Sequence, residues 1–194
     1  MDRLLKPINI LYLHGLGSSG NATTALGLKE LGFNVTAPTY RPEHFNESMQ
    51  ELKQLLTSQS FDCIVGTSLG AYYILQIAGH FNGPAIAVNP CFEPKLVFNK
   101  YLTEPPINYQ DDSIIEITPL MLEDFKAVSA LEGVEIMIGE NDEVIPAGYQ
   151  KSFCQQNNKK WISKDWGHRV AEIEVLAQLI ETTVSLGSNS LHKS

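Results

Sequence analysis

Cysteine is scarce in this 194-residue chain, which contains only Cys63, Cys91 and Cys154. Their number is odd, their spacing is wide and no C-x-x-C pair occurs, so the sequence predicts neither a disulfide framework nor a zinc site. We therefore expect three reduced thiols with mostly structural roles.

Long apolar runs are also absent, since no segment approaches the ~20 apolar residues that a membrane-spanning helix needs. The amino-terminal stretch MDRLLKPINILYLHG is interrupted by Pro7 and Asn9, and no A-x-A-like cleavage site follows it, which argues against a signal peptide. The expectation is a cytoplasmic protein without membrane insertion.

Basic residues are few, with 14 Lys and Arg against 22 Asp and Glu and a net charge of -8. Nucleic-acid binding requires clustered cations that neutralise phosphates, whereas the basic residues of this chain are scattered. We therefore expect no nucleic-acid partner. The expected partner is a small-molecule substrate.

Short apolar runs are what the chain does contain, and six of them alternate with segments of helical periodicity. This pattern is typical of an α/β fold in which a parallel sheet is covered on both faces. The predicted strands are 8–13, 33–37, 61–66, 85–88, 134–139 and, least clearly, 159–163. The predicted helices are 21–31, 45–58, 69–80 and 170–184. We expect a single domain over 1–184 and a flexible polar tail over 185–194.

One stretch interrupts the alternation, because roughly 40 residues separate the fourth and fifth predicted strands and loops beyond ~15 residues are uncommon. Thr118-Pro119 is a helix-start signal. We therefore predict a small helical lid insert at about 90–128. Its apolar residues are expected either to line an acyl pocket or to pack the lid onto the domain. They are Leu96, Val97, Phe98, Tyr101, Leu102, Ile107 and Tyr109, with Phe98 and Tyr101 as the substrate-binding candidates.

The sharpest local motif is G-x-S-x-G, which occurs at 66–70 directly after a predicted strand and directly before an apolar segment of helical length. A serine at such a turn adopts strained backbone geometry, and small residues two positions away let the chain pass closely on either side. The following helix directs its positive dipole end at the reacting centre. Ser68 is therefore the predicted nucleophile.

A serine hydroxyl needs a base to remove its proton, and histidine is the usual base because its pKa lies near neutrality. In enzymes with this serine motif, the acid and then the base follow the serine along the chain. His168 stands after the last predicted strand, where a loop places it at the same sheet edge as Ser68. His80 stands at a helix end and His192 in the polar tail, so His168 is the predicted base.

The acid is expected just after the fifth predicted strand, which is the position of Asp142. Asp142 would accept the second ring N–H of His168 and stabilise the imidazolium. Glu140 and Glu143 flank Asp142, and Asp165 is three residues from His168, so these three acids remain alternatives.

A literal G-x-G-x-x-G occurs at Gly15, Gly17 and Gly20, after the first predicted strand. A dinucleotide-binding fold adds an acid at the end of its second strand, about 20 residues further on. This chain has TAPTYRP there, and the first acid after the second predicted strand, Glu43, comes only after two prolines. An NAD-binding oxidoreductase is therefore the weakest of the functions considered.

The same segment contains the short HG-x loop, His14-Gly15-Leu16. A tetrahedral oxyanion needs two preorganised N–H donors, and losing one can cost ~3 kcal/mol of transition-state stabilisation. The predicted donors are the backbone N–H groups of Leu16 and Leu69. His14 and Gly15 are expected to lie against the substrate.

Five short motifs follow one another in a specific order: LYLHG with SS, VGTSLGAYY, AVNP, GENDEV and GH. With them the chain resembles the α/β-hydrolase superfamily and, more narrowly, the small bacterial esterases of the YqiA/YcfP type, over most of its length. The resemblance implies an α/β-hydrolase fold, with a mostly parallel sheet of about six strands and helices on both faces. It also implies that Ser68, Asp142 and His168 are the nucleophile, acid and base of an esterase.

These expectations predict a serine hydrolase that cleaves carboxylic esters or thioesters through an acyl-enzyme, without a cofactor or a metal. The main alternative is a non-catalytic protein of the same fold that binds a small hydrophobic ligand or a partner. An acyltransferase is a further alternative, because only water access to the acyl-enzyme separates it from a hydrolase.

Overall fold

The computed structural model describes residues 6–128 and 131–191. Within them, six strands form one sheet: β1 (Asn9–Leu13), β2 (Asn34–Thr36), β3 (Cys63–Thr67), β4 (Ala85–Val88), β5 (Val134–Gly139) and β6 (Ile162–Lys164). All neighbouring strands are parallel, in the order β2-β1-β3-β4-β5-β6. Each of the six predicted apolar runs overlaps one of these strands.

The central strands are apolar throughout because both of their faces are buried. In β1, Leu11 and Leu13 pack into the core on one side of the sheet, whereas Ile10 and Tyr12 pack into the core on the other side. Successive side chains of a strand point to opposite faces. A strand covered on both faces therefore needs an apolar residue at almost every position.

Seven α-helices of the described residues cover the sheet. They are α1 (Thr23–Glu30), α2 (Phe45–Ser58), α3 (Leu69–Ile77), α4 (Pro94–Val97), α5 (Pro119–Asp124), α6 (Ala147–Gln156) and α7 (Ile173–Leu191). Helices α1 and α7 contribute to one core, and α2, α3, α5 and α6 to the other. Within the described ranges, no helix is both long and apolar enough to cross a membrane.

Two helical features differ from the sequence prediction. Helix α6 was not predicted, because its segment AGYQKSFCQQ is mostly polar, with only three residues buried. Helix α7 continues to Leu191, beyond the predicted boundary at 184. The prediction of a flexible tail is therefore wrong for residues 185–191. An established helix gains one hydrogen bond per added residue, and Gly187 passes beside the Pro84 ring. Residues 192–194, including His192, lie outside the described residues.

The insert between β4 and β5 is helical, as predicted. It carries α4, a 3-10 turn at 98–102, and α5, where the Thr118 hydroxyl accepts a backbone N–H of the first turn at 3.3 Å. An antiparallel bridge between Ile107 and Ile114 closes the tip of the insert. At this tip the Tyr109 N–H donates to the Gly17 carbonyl at 2.8 Å. The insert is therefore docked on the loop that follows β1.

Candidate active site

Ser68 occupies the turn between β3 and α3, with φ 57° and ψ -120°. For a residue with a Cβ such a conformation costs of order 1–3 kcal/mol, so its surroundings must hold it in place. The Ser68 N–H donates to the Val88 carbonyl at 2.9 Å, and the Ser68 carbonyl accepts from the N–H groups of Tyr72 and Cys91, both at 3.2 Å. Three backbone hydrogen bonds therefore fix the strained serine.

The glycines on either side of Ser68 allow backbone segments to pass at very short range. A Cβ on Gly66 would lie 2.4 Å from the Gly70 carbonyl oxygen, and a Cβ on Gly70 would lie 2.1 Å from the Leu13 carbonyl oxygen. Both distances are far below van der Waals contact, so any side chain there would force α3 away from the sheet. This is the physical reason for the G-x-S-x-G spacing.

His168 and Asp142 form a hydrogen-bonded pair at the same edge of the sheet. His168 lies in the loop between β6 and α7, and its Nδ1 is 2.9 Å from both carboxylate oxygens of Asp142, which follows β5. The Asp142 carboxylate is fully buried. Because a carboxylate only accepts, Nδ1 carries the proton, and Nε2 of the neutral ring is left as the basic atom.

The Asp142 carboxylate is held from its other side by three donors. Its Oδ1 accepts the backbone N–H groups of Val144 at 2.9 Å and Ile145 at 2.8 Å, and its Oδ2 accepts the Gln150 amide at 3.1 Å. Gln150 is completely buried on α6. Sequence analysis missed this glutamine because it missed the helix that carries it.

The three alternative acids are committed to other partners. Glu140 pairs with a lysine of α6, and Asp165 accepts the Asn141 amide at 2.7 Å. Glu143 accepts the backbone N–H of His168 at 3.0 Å, and hydrogen bonds from its own backbone and from that of His168 lower its pKa. Among these acids the structure brings only Asp142 to the His168 ring.

Asn89 is a further residue of the site that sequence analysis did not single out. It follows β4 with φ 47° and is completely buried. Its amide donates to the carbonyls of Gly167 at 3.1 Å and His168 at 2.8 Å, and its Oδ1 accepts the Gly139 N–H at 2.6 Å. Asn89 therefore ties the His168 loop to the end of β5. The detectable signal is an Asn-Pro pair directly after a buried strand.

We expect Asn89→Ala to lower the free energy of unfolding by about 3 kcal/mol, because it leaves one buried N–H and two partly buried carbonyls without their partners. The kcat for ester hydrolysis should fall about tenfold or more, since His168 loses its backbone anchor. Urea unfolding and steady-state kinetics measure the two effects. Asn157→Ala, at the exposed end of α6, is the matched control. A stability loss without any loss of kcat would restrict Asn89 to a structural role.

The loop after β1 lies directly against the serine. A Cβ on Gly15 would lie 3.0 Å from the Ser68 Cβ and 3.3 Å from its Oγ. Gly17, with φ 70°, lies against the Ile107 carbonyl, and Gly20 lies against the Ala37 carbonyl. Each glycine of the G-x-G-x-x-G stretch thus contacts the protein itself at close range.

The peptide unit between Gly15 and Leu16 is held by the His14 ring, whose Nδ1 is 2.9 Å from the Gly15 carbonyl oxygen. In a trans peptide the carbonyl and the following N–H point in opposite directions. Anchoring the Gly15 carbonyl therefore fixes the direction of the Leu16 N–H. Leu16 lines the same cavity as Ser68, and Leu69 begins α3 immediately after the serine.

His14 occupies a different place from the one expected. Its side chain is buried beneath the loop, where its ring contacts the Tyr40 ring at a centroid distance of 4.7 Å, and it does not line the cavity. Burial lowers the pKa of His14. The neutral ring then donates from Nδ1 to Gly15, so His14 acts on the loop backbone instead of contacting a substrate.

A cavity of about 370 Å3 opens in front of Ser68 and His168. Its lining comes from the β1 loop, the start of α1, the insert tip and the His168 loop. The residues other than Ser68 and His168 are Tyr12, Leu16, Ser18, Ser19, Asn21, Ala22, Thr23, Thr24, Thr67, Tyr109, Gln110, Arg169 and Val170.

Phe98 and Tyr101 are not brought to this cavity. Phe98 is buried against Tyr101 and Phe125, with ring centroids 5.4 and 6.1 Å away, and Tyr101 is half-buried beside the same core. Both residues pack the insert onto the domain, because an insert must bury its own apolar side chains. Tyr109 is the one residue of the expected apolar set that lines the cavity.

The three thiols are buried and form no disulfide. Burial raises the pKa of Cys63 to about 12 and that of Cys154 to about 11, and it also raises the pKa of Cys91. Thiolate is therefore rare near neutral pH, and none of these thiols is activated as a nucleophile. Over the described ranges, no group of three or more His, Cys, Asp and Glu side chains is arranged to hold a metal ion.

The parallel six-stranded sheet and the serine at the turn after β3 define an α/β-hydrolase fold. The chain belongs to the family described as "Uncharacterised protein family (UPF0227)", whose model matches residues 9–183. This membership confirms the resemblance to YqiA/YcfP-type proteins that the motifs indicated.

Solved structures of other α/β hydrolases are similar along nearly the whole chain. Alpha/beta hydrolase domain-containing protein 10 from mouse has a TM-score of 0.66 at 18% identity, covering 95% of this chain and 92% of its own. Est1E from Butyrivibrio proteoclasticus has a TM-score of 0.67 at 14% identity, covering 95% and 89%. A monoacylglycerol lipase from Paleococcus ferrophilus has a TM-score of 0.58 at 17% identity, covering 91% and 94%. At such identities the likeness establishes the fold.

Proposed function

We propose that the protein is a serine hydrolase that cleaves carboxylic esters or thioesters through an acyl-enzyme. The observation that carries the proposal is the hydrogen-bonded His168–Asp142 pair, whose histidine lines the same cavity as the strained Ser68. A nucleophile, a base and a buried acid that orients the base are the three groups that acyl transfer requires.

In the proposed acylation step, Nε2 of His168 takes the Ser68 hydroxyl proton while Oγ attacks the carbonyl carbon of the substrate. The bond to the leaving alcohol or thiol then breaks, and His168 returns the proton to the departing oxygen or sulfur. Asp142 keeps the proton on Nδ1 and stabilises the imidazolium between these two transfers.

In the proposed deacylation step, His168 activates a water molecule that attacks the acyl-enzyme and releases the acid. Each tetrahedral intermediate carries a negative oxygen, which the backbone N–H groups of Leu16 and Leu69 would bind. The N-terminus of α3 adds its positive dipole end at the same place. His14 supports this role because it fixes the peptide that bears the Leu16 N–H.

We also propose a cytoplasmic location and catalysis without a cofactor or a metal. The three unpaired, buried thiols support the location, since free cysteines are typical of reducing compartments. The triad supports the chemistry, because general base catalysis by His168 requires no metal-bound water.

The proposal is tested by assaying the purified protein against p-nitrophenyl esters and acyl thioesters of increasing chain length. We expect Ser68-dependent release of p-nitrophenol and of free thiol. If neither class were hydrolysed while a small apolar ligand still bound, the protein would be a non-catalytic binding protein. Formation of a new ester with an added alcohol at the expense of free acid would identify an acyltransferase.

A further inference from the structure

Polar groups make up about half of the lining surface of the cavity in front of Ser68. Among the described lining residues, Leu16, Ala22 and Val170 have purely aliphatic side chains, and every other side chain carries a hydroxyl, amide, imidazole or guanidinium group. A long acyl chain would remove these groups from water without offering them hydrogen bonds, which is costly. A volume of about 370 Å3 holds about a dozen groups the size of a water molecule. The cavity therefore suits a small, polar substrate.

Arg169 is the permanently charged side chain among the described residues that line this cavity. It directly follows His168 in the chain, and its guanidinium carbon lies 5.9 Å from the centroid of the Tyr109 ring, which belongs to the insert tip. Within the part of the chain that the structure describes, Arg169 takes part in no salt bridge. Its hydrogen-bond donors are thus available to a ligand.

The described lining of this cavity differs in charge from the chain as a whole. The protein carries a net charge of -8, yet no Asp or Glu is among the described residues that line the cavity. Arg169, which is exposed at the rim of the candidate active site, therefore has no carboxylate partner within the described lining. An arginine fork is well suited to bind a carboxylate or a phosphate.

We propose that the substrate is a small ester or thioester bearing a carboxylate or phosphate group, which Arg169 binds while Ser68 attacks the acyl carbon. This inference rests on the proposed hydrolase function and adds the substrate class to it. The negative charge resides either on the acyl part or on the leaving alcohol or thiol. Arg169 could bind the anionic group in either position, and the experiment below distinguishes the two positions.

The test compares matched pairs of charged and neutral substrates. Mono-4-nitrophenyl glutarate and 4-nitrophenyl pentanoate share a five-carbon acyl group and differ in a terminal carboxylate, so they probe the acyl side. 4-Acetoxybenzoate and its methyl ester probe the leaving-group side. In at least one pair, wild-type kcat/KM should favour the charged substrate, and Arg169→Gln should reduce the charged-to-neutral ratio about tenfold or more. Arg169→Lys should retain part of the preference.

Lys53→Gln is the matched control, because it removes one positive charge from an exposed position of α2 outside the cavity. It should leave the charged-to-neutral ratio unchanged. A ratio that is equal in wild-type protein and in Arg169→Gln for both pairs would overturn the proposed substrate class, while Ser68-dependent hydrolysis of the neutral esters would leave the hydrolase function intact.

Equilibrium binding separates the two proposals if hydrolysis fails. In the Ser68→Ala background, mono-4-nitrophenyl glutarate or 4-acetoxybenzoate should bind at least about tenfold more tightly than its neutral partner. Adding Arg169→Gln should abolish that difference. Such a result in a protein that hydrolyses no ester would support the anion site and contradict the hydrolase. Equal affinities within both pairs would contradict the anion site.

Discussion

Ser68→Ala is expected to reduce kcat/KM for ester hydrolysis by more than about 10⁴-fold, because the variant cannot form an acyl-enzyme. The remaining rate would come from binding and from oxyanion stabilisation by the Leu16 and Leu69 N–H groups. Stopped-flow or steady-state release of p-nitrophenol measures the loss.

Folding should be nearly unaffected by this substitution. The backbone hydrogen bonds that fix position 68 do not involve the hydroxyl, so the melting temperature should stay within a few degrees of wild type. Ser152→Ala, which removes an exposed hydroxyl on α6, is the matched control and should retain full activity. Activity of Ser68→Ala close to that of wild type would rule out Ser68 as the nucleophile.

Asp142→Asn is expected to lower kcat by about 10⁴-fold at neutral pH. Asparagine can donate to Nδ1 of His168, which would favour the tautomer with the proton on Nε2. That tautomer has no lone pair to accept the serine proton. Steady-state kinetics on a p-nitrophenyl ester measures the effect.

The other acids near His168 provide matched controls for this prediction. Glu140→Gln and Asp165→Asn each neutralise an acid that the sequence alone left open, and neither acid contacts the His168 ring. Both variants should keep kcat within a few fold of wild type. A loss in Asp165→Asn comparable to that in Asp142→Asn would mean that the His168 loop rearranges and takes its acid from within the loop.

Much of the fold is predictable from local patterns. The runs that form β1, β3, β4 and β5 are apolar at nearly every position, which only a sheet covered on both faces demands. The turn that carries Ser68 is predictable because glycine is required at 66 and 70, where a Cβ would meet backbone atoms. The Gly66 constraint is local, because it comes from Gly70. The Gly70 constraint comes from Leu13 on β1, so the second glycine is recognised only by its place in the G-x-S-x-G motif.

The features that could not be predicted from the sequence, α6, Gln150 and Asn89, depend on contacts between distant segments of the chain. Helix α6 has a mostly polar sequence, and Gln150 on it is buried because it reaches the Asp142 carboxylate. Asn89 bonds to residues 50, 78 and 79 positions away. No local pattern encodes these partners.

The cavity lining was unpredictable for the same reason. Phe98 and Tyr101 are apolar residues of an insert, and periodicity does not tell whether such residues face a substrate or the core. Tyr109 is bonded to Gly17 and lines the cavity, whereas Phe98 of the same insert packs in the core. The position of Arg169 beside Tyr109 in the cavity lining can be recognised only from the structure.

The most direct test of the central claim is to find which residue becomes covalently labelled by a fluorophosphonate. Peptide mass spectrometry of the labelled protein should show one adduct per chain, on the peptide that contains Ser68, and none in Ser68→Ala. Stoichiometric labelling of any other residue, or a wild-type protein that stays unlabelled while it hydrolyses esters, would contradict the assignment of Ser68 as the nucleophile.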